Sequence, residues 1–256
     1  MSASKEDLIK KLEKTRLSKV SIVKSKDKYD EEKDILVSKI GGIPYWPKEK
    51  EYPTYTQGNA KLLAQLNLDE ILKQVDLKKI SPYYPTRGVL QFFLSEGDAM
   101  YGMMDGVLVI YHADTNQEHS LTENQIKTNL ELYEMPYEKS VRLDFVESDE
   151  LFGLYDKVHP EFDAIYEVSE DLLNEIENDG IINNNGSKLG GYSFFTQNDP
   201  LEDQEIEDKI ILLLQLDSDD ELKLLWGDSG VATWRIEQEM LKNLDFSNIH
   251  YTWDCF

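Results

Sequence analysis

Thiols are almost missing from this chain: its only cysteine is Cys255, one residue from the end. A single thiol excludes an internal disulfide framework and any cysteine-built zinc knuckle, and it favours a reducing compartment. Long apolar runs are missing as well. The longest are short, such as Ile210 to Leu214, far below the ~18 residues of a membrane span. Met1 is followed by Ser-Ala-Ser-Lys-Glu-Asp rather than the apolar core of a signal peptide. These features predict a cytoplasmic protein with no membrane partner. Positive charge is scarce: 27 basic residues face 50 acidic ones, a net charge of −23. The imbalance is uneven, because residues 1–50 carry 13 Lys/Arg against 9 Asp/Glu and the remainder 14 against 41. Such a surface repels phosphate backbones, which argues against nucleic acid as a partner, and attracts cations or a basic protein.

Recognisable catalytic spacing is also lacking. Gly-x-Ser-x-Gly, Gly-x-x-x-x-Gly-Lys-Ser and Gly-x-Gly-x-x-Gly do not occur, so the sequence supports neither a hydrolase elbow nor a nucleotide loop. His112, His119, His159 and His250 show no metal-ligand spacing and read as surface or packing residues. Asp217 to Glu221 echoes a calcium loop, but Leu222 stands where glycine is required and the bidentate glutamate is absent. The window 198–221 holds ten acidic residues and only Lys209 as a base, which reads as a solvated face. No catalytic residue, metal ligand or cofactor is assigned.

What is present suits a folded core. Hydrophobic residues make up 40% of the chain and aromatics 11%, and 256 residues can bury roughly 70–75% of their unfolded surface. Ser4 opens a helix predicted over about 5–16, with Leu8, Ile9 and Leu12 on one face. Val20 and Ile22 alternate as in a strand; Lys24 to Lys33 reads as a hairpin tip or loop; Pro44, Pro47 and Pro53 keep 43–56 irregular. Strands are predicted at 61–66, 89–94, 107–111, 139–146, 210–216, 222–226 and 231–236. Short helices are expected at 69–75, capped by Asp69, after Ser169 up to Gly180, and at 237–243, followed by an aromatic tail, Tyr251 to Trp253. With no βαβ alternation, the fold class is mainly β, or β-rich α+β: antiparallel sheets with a few short helices, in one compact domain over 1–256.

One sequence unit occurs twice. Ser38-Lys39-Ile40-Gly41-Gly42-Ile43-Pro44-Tyr45-Trp46 returns as Ser187-Lys188-Leu189-Gly190-Gly191-Tyr192-Ser193-Phe194-Phe195. The strand Leu62 to Glu70, with Gln65 inside it, returns as Leu212 to Asp220 with Gln215. Gly88-Val89 with Phe92 is matched more loosely by Gly230-Val231 with Trp234. Two blocks at nearly one offset imply internal pseudo-repeats over about 20–145 and 160–250. Paired glycines admit positive φ or close backbone approach. An amide inside an apolar strand needs hydrogen-bond partners, and Gln65 and Gln215 are expected to satisfy backbone groups of the two glycine loops. Trp226-Gly227-Asp228-Ser229-Gly230 reads as a tight turn in which Asp228 bonds its own backbone and Gly230 takes positive φ.

These motifs, with the terminal Asp254-Cys255-Phe256, resemble the YwqG-like bacterial proteins from about residue 36 to the end. The resemblance implies a β-rich, internally duplicated fold in a cytoplasmic bacterial protein. It brings no reaction, cofactor or catalytic residue, since the family is a domain of unknown function. Its association with toxin–immunity gene clusters hints at neutralisation.

The leading expectation is a non-catalytic binding module whose acidic face meets a basic protein, in an immunity-like role. The competing expectation is a small-ligand binder or enzyme with a cleft between the repeats, lined by Ser38, Lys39, Gly41, Gly42, Ser187, Lys188, Gly190, Gly191 and Asp228. Oligomeric state is not set by the sequence.

Overall fold

The computed structural model describes residues 4–55, 58–94, 107–119, 135–153, 156, 170–202, 204 and 209–256. The expectations placed on Ser169 and His159 fall outside these residues.

Helix α1 (Lys5–Leu12) starts where the Ser4 side chain accepts from the Asp7 N–H, and it buries Leu8 and Leu12. A 3-10 turn at Glu13–Thr15 leads into β1 (Leu17–Lys24). Then follow β2 (Lys39–Ile40), the small hairpin β3 (Thr54–Tyr55) and β4 (Gly58–Asn59), β5 (Lys61–Asn67), α2 (Leu68–Ile71), β6 (Val89–Leu94), β7 (Val107–His112) and β8 (Val141–Glu150). After α3 (Glu170–Asn178) come β9 (Lys188–Gly190), β10 (Ile210–Asp217), β11 (Val231–Glu237), α4 (Gln238–Lys242) and β12 (His250–Asp254). Ten strands form one antiparallel sheet in the order β12-β11-β10-β9-β1-β8-β2-β5-β6-β7. The fold is therefore β-rich, with short helices attached.

The order of strands is a palindrome of the two sequence copies. β2, β5, β6 and β7 correspond to β9, β10, β11 and β12, while β1 and β8 lie paired at the centre. Each of these central strands serves the copy it does not precede in the chain. β1 runs ahead of β2 but bonds β9, with Ile22 N donating to Ser187 O at 2.8 Å; β8 runs ahead of β9 but bonds β2, with Leu143 N donating to Ser38 O at 2.9 Å. The matched registers place a pseudo-twofold axis at the Val23–Asp144 pair. Phe92 and Trp234, counterparts in the two copies, meet edge to face with ring centroids 5.7 Å apart. The wings of the sheet thus face each other across a shared core that includes Val20, Ile40, Leu63, Leu90, Leu189, Leu214 and Trp226. Tyr84 adds a tie between the wings by donating to Leu213 O at 2.7 Å. A smaller cluster joins α1 to α3 and Tyr192.

Three local expectations are corrected, and the aromatic tail gains an assignment. Asn67, not Asp69, caps α2, accepting from the N–H groups of Asp69 and Glu70, while Asp69 accepts from Gly88 N at 2.9 Å. The stretch 222–226 is no strand. Lys223 has φ 59°, and Leu224 exchanges backbone bonds with Asp219, so the alternating burial of Leu222, Leu224 and Trp226 comes from a loop pressed on the core. The aromatic tail is edge strand β12, registered on β11. In the Trp226–Gly230 turn, positive φ falls on Gly227 and Ser229; Gly230 serves close approach, because a Cβ there would meet Asp254 O at 1.9 Å.

Candidate functional site

The outer face of each half-sheet carries a buried polar row. In the first half it runs through Lys39, Gln65, Gln91 and His112, from β2 to β7. The second half places Lys188, Gln215 and Thr233 in the matching positions. The glutamines are the clasps. Gln65 Oε1 accepts from Tyr45 N at 2.8 Å and its Nε2 donates to Ile35 O and Val37 O at 2.7 and 3.0 Å. Gln215 accepts from Phe194 N at 2.9 Å and donates to Asn184 O and Gly186 O, both at 2.9 Å. Each amide ties the chain before a glycine loop to the chain after it. The expectation that both glutamines satisfy backbone groups of those loops holds in each copy. Gly41, Gly42, Gly190 and Gly191 all have φ between 60° and 76°, a region that larger side chains resist. The serines match too: Ser38 Oγ accepts from Asn67 N at 2.9 Å and Ser187 Oγ from Asp217 N at 3.0 Å.

The first row continues past its clasp. Gln91 Nε2 donates to Tyr45 O and to Gln65 Oε1, which leaves Gln91 Oε1 to accept from His112 Nε2 at 3.1 Å. That chain of donors fixes the neutral His112 with its proton on Nε2. Burial pushes the ring down to about 4, so it stays neutral at pH 7.

Both lysines are buried, and both donate to a carbonyl four residues back: Lys39 to Ile35 O at 3.1 Å, Lys188 to Asn184 O at 2.7 Å. Burial pulls each ammonium down to about 8 from its ordinary 10.5, against the upward pull of nearby carboxylates. Their surroundings then diverge. Lys188 is bound by both oxygens of buried Glu150, at 2.7 and 2.9 Å, and Glu150 also holds Tyr192 N and Lys19 Nζ. In the first half Glu31 plays the corresponding part toward the backbone, accepting from Ile43 N at 3.2 Å. Among the described residues, no carboxylate lies within ion-pair distance of Lys39. The copies also differ where Arg235, buried in the second half, pairs with Asp199 through two bonds of 3.0 and 2.7 Å and stacks on Phe195. Phe93 and Trp46 fill the corresponding places in the first half.

Over the first row lies a cleft of about 420 Å³, lined by Asp34, Tyr45, Glu70, Thr115, Gln117 and His119 among others. A neighbouring hollow is bordered by Asp69, Arg87 and Asp114. The two Ser-Lys-x-Gly-Gly segments stand on opposite sides of the β1–β8 pair, which separates them by about 14 Å at the usual ~4.8 Å strand spacing. Asp228 is exposed on the Gly227–Ser229 turn. Glu31, Glu150, Gln91, Asp199 and Arg235 escaped the sequence reading. Their partners are remote in the chain, and no local pattern marks them. Groups of three or more metal-binding side chains are not found among the described residues, and none of their helices is long and apolar enough to cross a membrane.

A family model described as a domain of unknown function (DUF1963) matches residues 38–255. The chain belongs to that family. No curated protein matches it. The DUF1963 match takes in both clasps and both glycine loops, yet it starts after β1, the strand at the centre of the sheet.

Proposed function

We propose that this DUF1963 protein is a non-catalytic binding module whose acidic surface meets a basic protein partner. The observation that carries the reading is how charge divides between inside and outside. Residues 51–256 hold 41 acidic side chains and only 14 basic ones. Of those basic groups, Lys188 and Arg235 are withdrawn into buried pairs with Glu150 and Asp199, and Lys242 is answered by Glu239. Glu202, Asp220, Glu221, Asp228 and Asp245 remain exposed. A surface of one sign steers oppositely charged partners and repels nucleic acid. A neutralising, immunity-like role in the cytoplasm fits this chemistry. Affinity capture from the native cell on the immobilised full chain tests it. Capture of a basic protein at low ionic strength, falling steeply toward physiological salt, is the expected result. A partner held equally well at both salts contradicts the reading.

A further inference from the structure

The two glycine loops are gripped alike, but the residues inside the grip differ. In the first copy Gln65 holds the carbonyls of Ile35 and Val37, and Leu36 lies between them. In the second, Gln215 holds those of Asn184 and Gly186, and Asn185 lies between them. Leu36–Val37 is chemically inert. Asn185–Gly186 is not, and it is the one Asn-Gly pair in the chain. Asparagine followed by glycine readily cyclises, because no side chain hinders attack of the next backbone nitrogen on the amide carbon. The Asn185 side chain is exposed, and a Cβ added at Gly186 would meet nothing within 4 Å, so the space beside this pair is open.

The strand residue beside the grip differs as well. Asn67 and Asp217 end matching strands and touch their loops with opposite polarity. Asn67 Nδ2 donates to Leu36 O at 3.0 Å, whereas Asp217 Oδ2 accepts from Gly186 N at 2.7 Å. The nitrogen that would attack Asn185 is therefore tied to a carboxylate. A carboxylate is far too weak a base to take an amide proton, and its charge opposes an anionic nitrogen. We propose that Asn185 is a site of spontaneous backbone modification, guarded by Asp217 and reached when the second clasp opens. In the open loop the Gly186 nitrogen loses its proton to hydroxide and bonds to Asn185 Cγ. The Cγ–Nδ2 bond breaks, and ammonia leaves with a proton from water. Water then opens the cyclic imide to aspartate or isoaspartate. Isoaspartate lengthens the main chain between the two carbonyls that Gln215 holds, so the change loosens this clasp and spares the other. This proposal is independent of the acidic surface and its protein partner, and each can fail alone.

Peptide mapping by mass spectrometry tests it, on the full chain kept at neutral pH with and without guanidinium chloride. Replacement of the Asn185 amide nitrogen by oxygen should be at least about tenfold slower in the native chain than in the unfolded one. Asp217→Ala should speed it about tenfold or more, as suits the loss of one hydrogen bond to a charged group. Asn67→Ala, the matching change in the other copy, should alter it by less than about threefold. Asp217→Asn keeps the shape and an acceptor oxygen, so it provides a second route, with a smaller acceleration, if the alanine variant fails to fold. In the modified chain the Phe194 amide should exchange faster and the Tyr45 amide should not. Equal rates in native and unfolded chain, no acceleration in a folded Asp217 variant, equal acceleration by Asn67→Ala, or unchanged Phe194 exchange after modification overturns the proposal.

Discussion

At the scale of residues, the fold depends on a few buried polar groups that hold irregular chain in place. Gln65 satisfies three backbone groups and one side-chain donor at once. Gln65→Leu keeps the volume but strands those partners. It should cost about 2–4 kcal/mol in urea unfolding, because each buried unsatisfied group carries ~1–3 kcal/mol and some will reach water. The buried lysines give a pH signature. Their folded-state pKa values, about 8, lie below the 10.5 of the unfolded chain. The unfolded state therefore binds more protons between those values, so stability rises as pH climbs from about 8 toward 10. Above 10 the trend should reverse, since burial raises the Tyr84 hydroxyl above its ordinary value and its ionisation favours the unfolded chain. Denaturation midpoints across that range check the rise, and Lys39→Met should make it shallower while the Lys188 contribution remains.

At the scale of elements, the first central strand decides whether the sheet holds together. β1 lies between β8 and β9 and bonds to both, although the family match begins at residue 38. Deleting residues 1–36 would bare the long edge of β8 and the short edge of β9 in the middle of the sheet and strip α1 from its cluster with α3. The truncated chain should be insoluble or lack a cooperative unfolding transition by circular dichroism; a soluble, cooperatively folding product contradicts this view of β1. Much of the element plan was legible in the sequence. Period-two alternation marked β1 and β8, and the recurring glycine pairs and strand glutamines marked the loops and their clasps. What escaped was long-range. The two carboxylates that serve the glycine loops lie 12 residues before Ile43 in one copy and 42 before Tyr192 in the other, so no common spacing reveals Glu31 and Glu150 as counterparts. The crossing of β1 and β8 into each other's halves is likewise invisible, because strand pairing between distant segments leaves no local pattern. Leu222 to Trp226 misled for a physical reason: burial alternates there without a ladder.

At the scale of the whole molecule, two copies share one sheet about a pseudo-dyad, and each copy is completed by the strand that precedes the other. The shared architecture accounts for the paired glycines, serines, lysines and glutamines. The copies differ in how they treat the buried lysine, which pairs with a carboxylate in one half and has only a carbonyl acceptor in the other. The equivalence of the clasps is the claim on which this account rests, and site-resolved amide hydrogen exchange tests it most directly. In the native chain the Tyr45 and Phe194 amides should both be protected. Gln65→Leu should release Tyr45 while leaving Phe194 slow, and Gln215→Leu should do the reverse. Free exchange of both amides in the native chain, or protection that survives loss of the matching glutamine, would contradict it.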